Sequence, residues 1–183
     1  MEFIPDRFYH VFNQGNNRQM VFENDKDDYH LFLRQVRRHL LPHVDILAYC
    51  LMPNHFHFMI KTDQRCLGMK MAGKFEMNEV SLGIKLMLST YTLITNKRRG
   101  RSGSLFRQGT HARCLNHDPC SVNLDTLAKN DLSNVFRYIH ENPVEANLVK
   151  KPEDWIYSSY RDHAGLRDGT LVNKKLALDF GLG

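Results

Sequence analysis

The chain has 183 residues, 42% hydrophobic and 25% charged, with a net charge of +5 at pH 7. That length supports one real hydrophobic core and is short for two, and the composition is neither that of a disordered chain nor that of a membrane protein, since no apolar run approaches the roughly 20 residues of a spanning helix. The mild basic excess permits a polyanionic partner without requiring one, and the lack of an apolar leader after Met1 makes a cytoplasmic protein the expectation.

Residues 7–18, RFYHVFNQGNNR, alternate and then break into Gly and Asn, which predicts a strand running into a loop. From about Asp25 the period changes: Tyr29, Phe32, Leu33, Val36 and Leu40 recur at helical spacing, Asn24 or Asp25 can cap the start, and Pro42 stops the helix. Residues 44–52 are almost continuously apolar, Pro53-Asn54 signals a turn, and 55–61 form a second short run. The pair therefore reads as adjacent antiparallel strands.

Residues 63–79 are mixed and read as a loop with some helix. A helix is predicted over 80–96, followed by NKRRGRSGS at 96–104, the densest basic segment, whose Gly and Ser mark an exposed loop. Residues 105–115 suit a strand with a bulge at Gly109. Residues 131–141 are the cleanest amphipathic stretch, with Leu132, Val135, Phe136 and Ile139 at i, i+3, i+4 and i+7, and Asn142-Pro143 closes it. The remainder, 152–183, contains WIYSSY and then a Gly- and Lys-containing terminus. This order of strand, helix, two strands, helix, strand and helix predicts an α+β, ferredoxin-like sandwich: an antiparallel sheet with helices packed on one face and the last helix beside it. A single domain over 1–183 is expected, with a core of about 7–150 and a C-terminal extension of about 151–183.

The segment MPNHFHFMI carries the chemistry. Strand alternation puts His55 and His57 on one face and Phe56, Phe58 and Ile60 on the other. With Cα atoms about 7 Å apart, both imidazoles can reach one cation. Two histidines alone are an incomplete metal site, because a polarising divalent ion needs a third donor and an open position. In the amphipathic helix Tyr138 flanks the apolar stripe, and Asn142 follows four residues later on nearly the same line. A phenol and a carboxamide are thus offered side by side.

PNHFHFMI, then YIHENPVEANLV, then WIYSSY together resemble the HUH single-tyrosine transposases, and most of all the REP-associated tyrosine transposases. The resemblance runs from about Tyr9 to Tyr160. It implies that His55, His57 and Asn142 hold Mg²⁺ or Mn²⁺, with Asn142 standing where related enzymes often carry the longer Gln. It also implies that Tyr138 attacks a DNA phosphodiester, giving a 5′-phosphotyrosine link and a free 3′-hydroxyl, and that reversal by another 3′-hydroxyl joins strands. The implied partner is single-stranded DNA with a REP-like hairpin, taken up by a monomer or a homodimer. Lys97, Arg98, Arg99, Arg101 and Arg107 are the expected backbone contacts. His140 and Glu141 adjoin the tyrosine but point elsewhere at helical spacing.

Three other readings compete. A hairpin or single-stranded DNA binder of the same fold, weak or inactive in catalysis, would keep the surface and lose turnover. A phosphodiesterase using water would need more carboxylates near the histidines. HARCLNHDPC spaces His111, Cys114, His117 and Cys120 at intervals of three, which suggests zinc but lacks paired knuckles; the four cysteines, Cys50 included with Cys66, show no disulfide framework. Among the tyrosines, Tyr91 is the rival nucleophile.

Overall fold

A computed structural model describes residues 2–23, 26–115 and 124–183, with 124–131 described by backbone alone. In chain order the elements are β1 (Phe8–Gln14), α1 (Lys26–His39), β2 (Asp45–Met52), β3 (His55–Lys61), β4 (Met69–Ala72), β5 (Phe75–Asn78), α2 (Glu79–Arg98), β6 (His111–Cys114), α3 (Leu124–Glu145), α4 (Tyr160–His163) and α5 (Lys174–Asp179). β2, β3, β1 and β6 form an antiparallel sheet in that spatial order. The architecture is therefore the α+β sandwich expected from the alternation of elements.

Side-chain parity assigns the two faces. Tyr9 and Val11 of β1, Ile46, Tyr49 and Leu51 of β2, and Phe56, Phe58 and Ile60 of β3 enter one core with α1 and α2. Phe32 of α1 sits in the middle of this layer, its ring centroid 5.2 Å from that of Phe56 and 5.1 Å from that of Tyr91. Burial of each such ring is worth about 1.5–3 kcal/mol, so this face supplies much of the fold's stability. The two helices approach closely enough that a Cβ at Gly83 would strike the carbonyl oxygen of His39, which explains a glycine inside α2. Asn78 caps α2 by accepting hydrogen bonds from the backbone N–H groups of Val80 and Ser81.

The opposite face carries Phe8, Leu47, Ala48, Cys50, Met52 and Met59, packed against Leu132 and Ile139 of α3 and Ala177 of α5. Consecutive residues Leu47 and Ala48 both reach this face because the β2–β3 register shifts between Ile46 and Ala48. α3 lies across β2 and β3 on this side, the side of the histidines.

Several boundaries differ from expectation. Residues 63–79 hold the expected bit of helix as a 3₁₀ turn, Gln64–Leu67, but the expected loop is the ribbon β4–β5, because Gly73 at φ 71° makes a tight reversal between two short runs. The strand predicted over 105–115 is confined to β6; Phe106 makes an isolated bridge to Gly15, and Gly109, at φ 78°, lies in the connection. α3 does not end at Asn142-Pro143 but runs to Glu145 with Pro143 inside it. Proline there removes one helical N–H donation, and the Ala146 N–H still donates to the Asn142 carbonyl. The C-terminal stretch is folded onto the sheet, with Ser158 bridging Cys50 of β2, the Trp155 indole N–H donating to the Leu51 carbonyl, and the tail helices α4 and α5 following. The predicted caps Asn24 and Asp25 lie outside the described residues.

Candidate active site

The site forms where β3 passes under α3. His55 and His57 project from the same face of β3, ring centroids 5.0 Å apart. Asn142 reaches down from α3 and meets both. Its Oδ1 lies 3.3 Å from His55 Nε2, and its Nδ2 lies 3.5 Å from His57 Nε2. One turn earlier on α3, Tyr138 stands edge-on to His57 with ring centroids 5.4 Å apart and remains 40% exposed. His57 and Asn142 are buried, so the site has a shielded floor and an accessible phenol. The four residues singled out in the sequence are thus gathered in one place.

Each imidazole is also held at its far nitrogen. His55 Nδ1 lies 2.6 Å from Asn54 Oδ1, and His57 Nδ1 lies 2.9 Å from His10 Nε2. Burial drives His57 down to about 2 and His10 down to about 4, with the Arg113 cation opposite His10 adding to its shift. Burial lowers His55 as well, against the opposing effect of its hydrogen bond to the Asn142 amide oxygen. All three rings are therefore neutral at ordinary pH, the state in which imidazole donates a lone pair.

These residues fit a divalent cation on the chemistry of their donors. His55 faces an amide oxygen at both nitrogens, Asn54 Oδ1 and Asn142 Oδ1, yet a neutral ring has one N–H. A cation held by His55 and Asn142 would remove that conflict and leave the His55 Nδ1–H to donate to Asn54 Oδ1. Among the described residues no three His, Cys, Asp or Glu side chains gather in a metal-like group; the third donor here is a carboxamide, an oxygen ligand suited to Mg²⁺ or Mn²⁺.

A cavity of about 260 Å³ opens beside these groups, lined by His55, His57, Tyr138, Phe12, His111 and Arg107 among others. Phe12 and His111 stack with centroids 4.9 Å apart and form an aromatic wall. A larger groove of about 670 Å³ along α2 shares Asn13 and Arg107 with this cavity. Among the described residues, no acidic side chain lines either space.

The basic segment divides in two. Arg98 and Arg99 reach Asp28, which is 3% exposed, and Arg99 also pairs with Glu23 at 3.0 Å. These two cations tie the end of α2 to the start of α1, a task that sequence clustering does not reveal. Arg101 lies 3.4 Å from the Gln19 side-chain oxygen, Lys97 is exposed, and Arg107 lines the cavity.

The sequence did not single out His10 or Phe12, and it grouped His111 with a zinc-like cluster instead of with this cavity. His10 and Phe12 share parity within β1, which was the available signal, but only the pairing of β1 with β3 sets Phe12 opposite His57. The rival readings fare poorly. Tyr91 is buried, its hydroxyl donates to the Val21 carbonyl, and burial pushes its pKa up. His140 turns away and bonds Ser159 Oγ at 2.8 Å, while Glu141 is 3.9 Å from Arg137. In the zinc-like cluster, His111 stacks on Phe12 and Cys114 packs with the α1–α2 core, so they diverge; His117 and Cys120 lie outside the described residues.

No protein-family model matches the sequence, and no curated protein does. A solved structure of a REP-associated tyrosine transposase bound to a REP hairpin matches over 94% of this chain and 94% of its own, with a TM-score of 0.61 at 13% identity. The chain has the fold of a REP-associated tyrosine transposase. No helix among the described residues is long and apolar enough to cross a membrane.

Proposed function

We propose that this chain is a metal-dependent transposase acting on single-stranded DNA, with Tyr138 as the nucleophile and His55, His57 and Asn142 as the cation's ligands. The observation that carries the reading is the approach of the Asn142 amide to both Nε2 atoms at 3.3 and 3.5 Å, one helical turn from an exposed tyrosine. The match to a transposase bound to a REP hairpin supports a hairpin-bearing DNA as the substrate.

Mg²⁺ or Mn²⁺ bound there would polarise the scissile phosphate and stabilise charge on its oxygens. Tyr138 Oη attacks phosphorus, the P–O3′ bond breaks, and the 3′-oxygen leaves as a hydroxyl while a 5′-phosphotyrosine forms. Attack by a 3′-hydroxyl reverses the step and joins strands without ATP. The rigid placement of Tyr138 on α3 favours a splayed, unpaired phosphodiester over a duplex. Phe12 and His111 offer a stacking surface for a base, and Arg107 a phosphate contact at the cavity rim.

Incubation with end-labelled single-stranded hairpin DNA and Mn²⁺, resolved on denaturing gels, tests this. A covalent protein–DNA adduct is expected, absent in Tyr138→Phe and largely lost in His57→Ala. Nicking without an adduct would instead indicate water as nucleophile, and retention without nicking would indicate a hairpin binder.

A further inference from the structure

His10 enters the site from β1, diagonally across the sheet from His57, whose directly paired residue is Phe12. Its Nε2 lies 2.9 Å from His57 Nδ1, the ring planes differ by 25°, and the centroids are 5.0 Å apart. That separation is close to the value for two imidazoles joined edge to edge, so the contact is an in-plane hydrogen bond and not a face-to-face stack. Both rings are buried, at 8% and 5% exposure, which makes the bond hard to replace with water.

Two neutral imidazoles in such a bond share one proton, and its position decides what the other end of His57 can do. If His57 Nδ1–H donates to His10 Nε2, then His57 Nε2 carries a lone pair toward Asn142. If His10 Nε2–H donates instead, His57 Nε2 carries a hydrogen and cannot ligate. Asn142 Nδ2 faces His57 Nε2 and asks that nitrogen to accept. Asn54 Oδ1 stands in the corresponding place behind His55, an oxygen acceptor 2.6 Å from that ring's Nδ1.

We propose that His10 is a positioning residue: acting as acceptor at Nε2, it fixes His57 as the Nδ1–H tautomer and aims its Nε2 lone pair into the site. This rests on the reading of His55, His57 and Asn142 as cation ligands. His10 touches neither substrate nor cation in this role. It works as partners behind metal-bound histidines generally do, where their loss weakens metal binding about 10- to 100-fold.

The test uses the whole chain in three forms: wild type, His10→Gln and His10→Leu. Gln presents Oε1 near the position of Nε2 and can accept the same hydrogen bond; Leu fills the space without an acceptor. Histidine side-chain ¹⁵N NMR of the metal-free protein reads the tautomer directly. His57 is expected as Nδ1–H in wild type and His10→Gln, and shifted toward Nε2–H in His10→Leu. Titration with Mn²⁺, followed by its EPR signal, is expected to give affinities within about threefold for wild type and His10→Gln and about 10- to 100-fold weaker for His10→Leu. A wild-type His57 found as Nε2–H, or a His10→Leu protein that keeps both tautomer and Mn²⁺ affinity, overturns the proposal. Should His10→Leu fail to fold, the wild-type tautomer and the His10→Gln affinity still decide it. Should no form bind Mn²⁺ while the tautomers behave as stated, the ligand reading fails and the orienting role of His10 stands.

Discussion

Phe56 and Phe58 leave β3 on one side of the sheet while His55 and His57 leave it on the other, and the two faces that result are built differently. Under α1 and α2 the rings of Phe22, Phe32, Phe56, Phe58 and Tyr91 interlock in a layer where the largest side chains are fully buried. Under α3 the apolar packing covers Leu47, Cys50 and Met59 and then gives way to His10, His57 and Asn142, with Tyr138 at the margin. One strand therefore serves two ends: the aromatic face holds the backbone rigid, and that rigidity fixes where the imidazoles point. Polar groups can be gathered at low dielectric on the second face because the first supplies the stability they do not.

Substitutions should separate the faces. The largest effect is expected from Tyr138→Phe, which removes one hydroxyl from a partly exposed ring: adduct formation on labelled hairpin DNA should drop at least about 10³-fold, equivalent to roughly 4 kcal/mol, with an unchanged melting temperature. An adduct that persists would remove Tyr138 from the chemistry. Phe58→Ala, on the other face, should lower stability by about 3–5 kcal/mol in urea unfolding, while the folded fraction at low temperature keeps its activity within a few-fold. A loss of chemistry without a loss of stability there would erase the distinction.

The basic segment offers a second contrast. Arg99→Ala leaves the buried carboxylate of Asp28 with Arg98 as its cation, 3.3 Å away, and should cost about 1–3 kcal/mol of stability. Acid should act through the buried histidines on the α3 side of the sheet: His140 is held down to about 3 and His163 is lowered too, as are His10, His55 and His57, mainly by burial in each case. Their folded values lie below the unfolded value near 6.5, so the unfolded chain binds more protons. Stability is then complete above about pH 6.5 and falls as pH drops toward the folded values, by up to about 1.4 kcal/mol per pH unit per histidine. Urea midpoints at pH 7.5, 6.0 and 5.0 would reveal this, and a flat profile would contradict it. The smallest effect is expected from Arg107→Ala: a few-fold weaker binding of single-stranded DNA, a salt dependence shallower by about one charge, and unchanged stability.

Much of this was legible in the chain. The helices over Tyr29–Leu40 and Leu132–Ile139, the paired strands around Pro53-Asn54 and the opposition of His55 and His57 to Phe56 and Phe58 all follow from side-chain periodicity, which is a local property. The ribbon at 69–78 escaped because its two runs are short and mixed, and the end of α3 escaped because Asn142-Pro143 looks like a stop although the Ala146 N–H still donates to the Asn142 carbonyl past the proline. Arg98 and Arg99 looked like a nucleic-acid surface because charge density is visible in sequence and the partner Asp28, far away in the chain, is not.

By itself, then, the sequence determined which side chains share a face of each strand and helix, since backbone geometry sets that within a few residues. Which strand lies beside which, and therefore that His10 stands behind His57, that Phe12 opposes it and that Asn142 comes down on both imidazoles, was decided by tertiary structure. Register and helix docking minimise exposed apolar surface over the whole chain, and no local stretch of residues contains that sum.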